Sequence, residues 1–242
     1  MKWNYAFFAG FVLSRPRLLT LPFRGVYVPA YVNFEFIRDF DNIQTVIDVG
    51  ANEGHVSRAL SALLPGAHVH SFEPMTEPFE RLKRSGRGER FHANQVAVTD
   101  KVGFATLHAL PSYSPGSSLF PVKDPVGGHP GIGGKARLDS VPTTTLDAYF
   151  ESQRMHGRAF LKLDTQGSEL LALKGAERTL ESVDVIYCET SFTELYDGQC
   201  LFHEVYDFLR GHDFVYHGSL NESWFYPQFK PALSENSLFV RR

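Results

Sequence analysis

From Thr45 onward, short apolar runs rich in β-branched residues alternate with stretches whose apolar positions recur at helical spacing. The runs predict strands near 45–49, 68–72, 94–98, 103–109, 159–164, 183–189, 213–217 and 237–241. The amphipathic stretches predict helices near 54–64, 76–85, 143–152, 168–180 and 201–211. That alternation describes an α/β fold, a mostly parallel, doubly wound sheet with helices on both faces. Residues 1–42 precede the first clear strand and are expected to form a helical or irregular cap on a domain spanning 43–242. The rhythm breaks at 111–134, where prolines and glycines interleaved with serines exclude a helix or central strand. Such a segment is either a lid over an acceptor pocket or a tolerated surface insertion.

Composition narrows the class. With 242 residues, 43% hydrophobic and 21% charged, the chain can bury a substantial core. A net charge of -3 and the lack of a basic run argue against a nucleic-acid footprint. Cys188 and Cys200 have no framework spacing and read as reduced thiols, which points to a cytoplasmic protein. The apolar stretch Tyr5 to Leu13 is too short to span a bilayer and lacks the flanks of a signal peptide. It reads as a helix packed on the domain or over its site, or else as a peripheral membrane contact. The histidines show no metal spacing; His55 and His129 are the ones that could approach a pocket. Nothing in the sequence sets an oligomeric state.

Two strand ends carry the first chemistry. Val46-Ile-Asp-Val-Gly-Ala-Asn-Glu-Gly54 is a buried strand running into a glycine-bounded loop and a helix start, a turn that lets backbone approach a ligand. The next strand ends in Glu73, an acid placed to take both hydroxyls of a ribose. Asn52 stands where a dinucleotide fingerprint needs its middle glycine, and no Walker lysine follows. Asp48 and Glu53 would repel a pyrophosphate but suit a ligand with a sulfonium and an ammonium group. That ligand is S-adenosylmethionine.

A second set lies at Ala159-Phe-Leu-Lys-Leu-Asp-Thr-Gln-Gly167. Lys162 and Asp164 are two apart, so they share a face near the strand's carboxyl end, and the next strand brings Glu189 to the same edge. Ligands bind at that end of an open α/β sheet. Asp164 could accept or orient a hydroxyl proton, with Lys162 holding its charge or polarising the acceptor oxygen. Alternatively, Asp164 and Glu189 ligate Mg²⁺ and lower the pKa of a bound diol. The plain structural reading is an ion pair of Lys162 with Asp164 or Glu189 that closes the strand ends.

The runs VIDVGANEGHVS, HSFEPMTEPFERL and FLKLDTQGSELLALKGAERTL, with TTTLDAYF at 143–150 between them, together resemble the FkbM family of S-adenosylmethionine-dependent methyltransferases over about residues 43–190. The resemblance implies a class I, Rossmann-like methyltransferase core: seven strands, one antiparallel near the C-terminus. It implies O-methylation of a sugar, polyketide or other secondary-metabolite hydroxyl, with a small-molecule or carbohydrate acceptor. By motif position it assigns Asp48, Gly50, Asn52, Gly54 and Glu73 as cofactor contacts and places the stretch Asn94 to Val98, including Ala97, near the adenine. Lys162, Asp164, Gln166 and Gly167 match the family's KxDxxG stretch, and Ser117-Ser118-Leu119 is also similar. Thr76 departs from the family pattern, and beyond Tyr196, including Trp224-Phe-Tyr226, the fit is loose, which leaves the acceptor open. A cofactor-binding module without turnover is the alternative, and a nicotinamide-dependent dehydrogenase is disfavoured by Asn52.

Overall fold

A computed structural model describes residues 14–86, 88–111, 113–123, 136–220 and 233–242. Two 3-10 turns (Pro16–Thr20, Pro22–Arg24), a short helix α1 (Val28–Asn33) and a third 3-10 turn (Glu35–Asp39) lead into β1 (Ile43–Val49). Then come α2 (His55–Leu63), β2 (His68–Phe72), α3 (Thr76–Ser85), β3 (Phe91–Asn94), β4 (Ala97–Val98) and β5 (Gly103–Ala109). A 3-10 turn (Ser114–Gly116) is followed by β6 (Arg137–Thr144), α4 (Leu146–Ser152), β7 (Arg158–Leu163), α5 (Glu169–Lys174) and α6 (Glu177–Leu180). The chain closes with β8 (Val183–Ser191), α7 (Phe202–Gly211), β9 (Phe214–Ser219) and β10 (Ser234–Arg241).

Seven strands form one sheet in the order β3-β2-β1-β7-β8-β10-β9, and only β10 runs antiparallel to its neighbours. β1 and β7 are neighbours, yet β1 connects outward to β2 and β7 to β8. That reversal opens a crevice at their carboxyl ends, where a ligand fits between diverging loops. Ile47, Val49, Leu161, Leu163 and Ile186 pack on one face among Leu173, Val205 and Leu209. Val46, Phe160 and Val185 pack on the other, against Leu60 and against Leu18, Leu21, Tyr31, Phe34 and Ile37 of the segment before β1. Central parallel strands covered on both faces need continuous apolar runs, and that is how β1 and β7 read.

Three expectations change, and one strand is new. The strand expected at 94–98 is two: β3 ends at Asn94 in the main sheet, while Ala97–Val98 turns away to a three-stranded sheet, β4-β6-β5. Its middle strand, β6, was not foreseen because Pro142 breaks its pattern. The ladder tolerates that proline because β4 pairs only with Thr143 and Thr144, leaving no partner for a Pro142 N–H on that side. The helix expected at 143–152 starts at Leu146 behind Thr145, whose side chain accepts from Ala148 N at 2.9 Å. The long helix expected at 168–180 splits at Gly175, where a Cβ would fall on the Thr99 carbonyl oxygen. Among the described residues no helix is long and apolar enough to cross a membrane.

Candidate functional site

The glycine loop after β1 is built from backbone. Gly50 N and Ala51 N donate to Phe72 O at 3.1 and 2.9 Å, tying the loop to the end of β2. Gly50 has φ +74°, and a Cβ there would fall on the Asp164 carbonyl oxygen, so the loop can lie against the end of β7 only as glycine. Asn52 keeps a left-handed φ of +47°, a conformation asparagine tolerates better than most side chains.

Glu73 follows β2 and closes the same loop from below. Its Oε2 accepts Asn52 N at 2.9 Å and its Oε1 accepts Met75 N at 2.8 Å. Each oxygen keeps a further lone pair, which leaves room for two ligand hydroxyls. Glu73 is only 7% exposed, and burial pushes its carboxyl up to about 7 despite the two backbone N–H groups that favour its charge.

A cavity of about 450 Å³ opens at this end of the sheet. Gly50, Asn52, Glu73 and Ala97 line it; Asp48, Gly54 and Asn94 do not. Asp48 is fully buried behind the loop, paired with Lys162 Nζ at 3.1 Å and accepting from Ser57 Oγ at 2.5 Å. Asn94 Nδ2 is turned to Ser71 O and His92 O, both at 3.2 Å, and so braces the wall. The loop acids do not present charge to a ligand as the sequence argument supposed. Lys162 neutralises Asp48, and Glu53 binds Arg81. His55 lines the cavity, its ring 4.9 Å from that of Tyr27.

The charged groups converge at the ends of β7 and β8. Lys162 is 3% exposed; its Nζ donates to Gly50 O at 2.8 Å and pairs with Asp48 at 3.1 Å and Asp164 at 3.5 Å. Burial disfavours its charge, but the two carboxylates outweigh that and raise it to about 12, so it is a permanent cation. Asp164 is partly exposed to the cavity. Burial opposes its ionisation, yet Lys162 and hydrogen bonds from Glu189 and Gln166 hold it below the usual aspartate range. Glu189 moves the other way: burial and the Asp164 and Glu169 carboxylates push it well above the glutamate range. The two carboxyl groups titrate as a pair, and burial beside Asp164 favours the neutral form of Glu189.

The turn holding these groups depends on residues to which sequence reasoning gave no role. Glu169 accepts Thr165 N at 2.8 Å and Gly167 N at 3.0 Å, an acid in the first turn of α5 that caps the loop before it. Its place in the sequence was a usable signal. Tyr196 and Ser118 reach the turn from distant loops; the family resemblance singled out the Ser118 stretch but gave it no role, and nothing local marks Tyr196. Among the described residues no group of three or more His, Cys, Asp or Glu side chains is placed to hold a metal ion. Both cysteines are free thiols.

Two further segments wall the cavity: Tyr27, Asn33 and Phe34 from the N-terminal side, and Tyr113, Ser114 and Ser118 from the start of the breaker-rich segment. Ser114 Oγ lies 3.4 Å from Asn52 Oδ1. The apolar stretch Tyr5 to Leu13, the whole second glycine-rich run with His129, and Trp224 to Tyr226 lie outside the described residues.

The comparisons agree with this architecture. A 2-O-methyltransferase, NoeI, from Sinorhizobium fredii is 28% identical over 182 residues, covering 70% of this chain and 72% of the relative. A solved methyltransferase FkbM from Methylobacillus flagellatus KT is similar at TM-score 0.49 and 15% identity, over 96% of this chain and 60% of that one. A TehB-like methyltransferase from Corynebacterium glutamicum gives TM-score 0.45 and 11% identity, over 97% and 99%. Residues 48–216 match the methyltransferase FkbM domain model, so the chain belongs to that family and is an S-adenosylmethionine-dependent methyltransferase with the class I fold.

Proposed function

We propose that the chain is an O-methyltransferase that modifies a hydroxyl of a sugar-like or other small acceptor, with Asp164 receiving the hydroxyl proton. The observation that carries this reading is the ionised Asp164, facing the same cavity as the Gly50 loop and Glu73. Similarity to a 2-O-methyltransferase supports oxygen as the nucleophile. In this reading Gly50, Asn52, Glu73 and Ala97 hold the adenosyl group, while Asp48 and Asn94 hold the residues that do.

Methyl transfer needs alignment more than covalent help. The methyl carbon leaves sulfur as it bonds to the acceptor oxygen, S-adenosylhomocysteine departs, and the hydroxyl proton passes to Asp164. Lys162 keeps Asp164 ionised before the step. We read the reaction as metal-free: Lys162 and Gln166 already engage the Asp164 oxygens, and burial favours the neutral form of Glu189 where a Mg²⁺ ligand needs a charge. Residues 27–34 and 113–119 are then the two covers of the acceptor side, which fits Phe34 and Tyr113 on the cavity wall.

The test is methyl transfer from tritiated S-adenosylmethionine to a panel of glycosides that differ in which hydroxyl is free. Label should enter a hydroxyl position, with no response to chelator. Transfer to amine or carbon acceptors and none to hydroxyls would overturn the reading.

A further inference from the structure

Gln166 sits in a conformation that its side chain does not favour, with φ +55° in the turn between β7 and α5. The cost of a left-handed non-glycine residue is about 1–2 kcal/mol, so something must hold it there. The side chain is that something. Gln166 Nε2 donates to Asp164 Oδ1 at 2.8 Å and to Glu189 Oε2 at 2.6 Å, and its Oε1 lies 3.1 Å from the Tyr196 hydroxyl. The backbone is engaged as well, since Ser118 Oγ donates to Gln166 O at 2.7 Å. Tyr196 in turn reaches Gly116 O at 3.0 Å.

We infer that Gln166 is a positioning residue: its amide clamps the Asp164 and Glu189 carboxyl groups together and ties them to the Gly116–Ser118 segment, whose Ser118 walls the acceptor side.

The choice of side chain follows from the donor count. Two carboxyl oxygens and a hydroxyl need two N–H donors and one acceptor from a single group, and only a primary amide has them. A carboxylate at 166 would add a third negative charge; an alkyl chain would leave the two acids facing each other across an unfilled gap. The groups facing the pair are Lys162 on β7, Glu169 on α5 and Tyr196 from the loop after β8. Lys162 is the cation among them, and it reaches Asp164 through the oxygen that Gln166 does not use. The amide therefore gives Glu189 a donor that Lys162 does not, and sets how the proton divides between the acids. Because Ser118 belongs to the cavity wall and bonds the Gln166 carbonyl, an acceptor that presses on that wall presses on the clamp.

The inference rests on the reading of Asp164 as the base, and the test separates the two. Gln166→Gly permits the left-handed backbone while removing the side chain that carries the amide, so the turn gains no new backbone strain. In protein labelled with carbon-13 at its Asp and Glu carboxyls, Glu189→Gln and Asp164→Asn identify the two signals. In Gln166→Gly the Glu189 midpoint should rise by about one pH unit, the loss of one hydrogen bond to its charged form. Tyr196→Phe should move it in the same direction by less, and S-adenosylmethionine affinity by calorimetry should stay within about twofold of the parent. A Glu189 midpoint unmoved in Gln166→Gly refutes the clamp, whatever the turnover of Asp164→Asn. A moved midpoint with a fully active Asp164→Asn keeps the clamp and removes Asp164 as the base.

Discussion

The two ends of the crevice are built from different materials. At the β1–β2 end the backbone does the binding work: Gly50 and Ala51 hang on Phe72 O, and Glu73 is held by two main-chain N–H groups. At the β7–β8 end side chains do it, through Lys162, Asp164, Gln166 and Glu189, each setting the charge or orientation of another. A backbone site is rigid and indifferent to most substitutions around it; a side-chain network is tunable and fails as a unit. Lys162 belongs to both, since one ammonium group holds Gly50 O, Asp48 and Asp164.

Lys162→Met is accordingly the change that should erase the contrast. It leaves Asp48 buried without a counter-charge, and breaking one side of a buried pair costs about 3–5 kcal/mol. Chemical denaturation should show that loss, and both cofactor affinity and turnover should fall together. If affinity survives while turnover falls, the two ends are less coupled than the shared ammonium implies.

Asp164→Asn should act at one end only. Turnover should drop by roughly 10²–10⁴, the range for a lost acid–base group, while S-adenosylmethionine binds within about twofold of the parent. Calorimetry beside a single-turnover assay reads both quantities. Full turnover in this variant would return Asp164 to a purely structural ion pair.

The mirror experiment is Glu73→Ala, which should weaken S-adenosylmethionine by at least about tenfold, some 1.4 kcal/mol, yet leave turnover at saturating cofactor within a few-fold. Unaltered affinity would remove Glu73 from the ribose site.

The smallest effect is graded by pH. Burial raises the free Glu73 carboxyl to about 7, and a ribose is bound best by the charged form. Cofactor affinity should therefore be constant above about pH 8 and fall as pH drops through 7, because the proton must then leave on binding. Titrations from pH 8 to 6 check this, and a flat profile would show that the ribose accepts the neutral acid. The same carboxyl sets a sign on stability. Its folded pKa lies above the unfolded value, so its burial costs stability as pH rises from the ordinary glutamate range through 7. His70 opposes it in part of that window: burial and neighbouring imidazoles lower it to about 3, so protonation of the unfolded chain destabilises the protein below about 6.5. His70→Gln and Glu73→Gln should therefore change the pH slope of unfolding in opposite directions.

Much of this was legible before any coordinates. A strand covered on both faces cannot alternate polar and apolar residues, so β1, β7 and β8 declare themselves as apolar runs, and the glycines and Glu73 punctuate their ends. Period and punctuation are local properties, and they carried the parallel sheet, the crevice and the glycine loop. The acids of that loop misled for the complementary reason. A carboxylate's availability depends on its counter-ion, and Arg81 and Lys162 lie far from Glu53 and Asp48 in sequence. β6 stayed hidden because Pro142 breaks its pattern, and only the two-residue length of β4 makes the proline harmless. The Gln166 clamp depends on Tyr196 and Ser118 arriving from separate loops. The sequence by itself therefore determined which elements form and where the crevice opens along the sheet. Which charges are neutralised and which remain for chemistry was decided by tertiary structure, because a charge is set by whatever stands within a few ångströms of it in space.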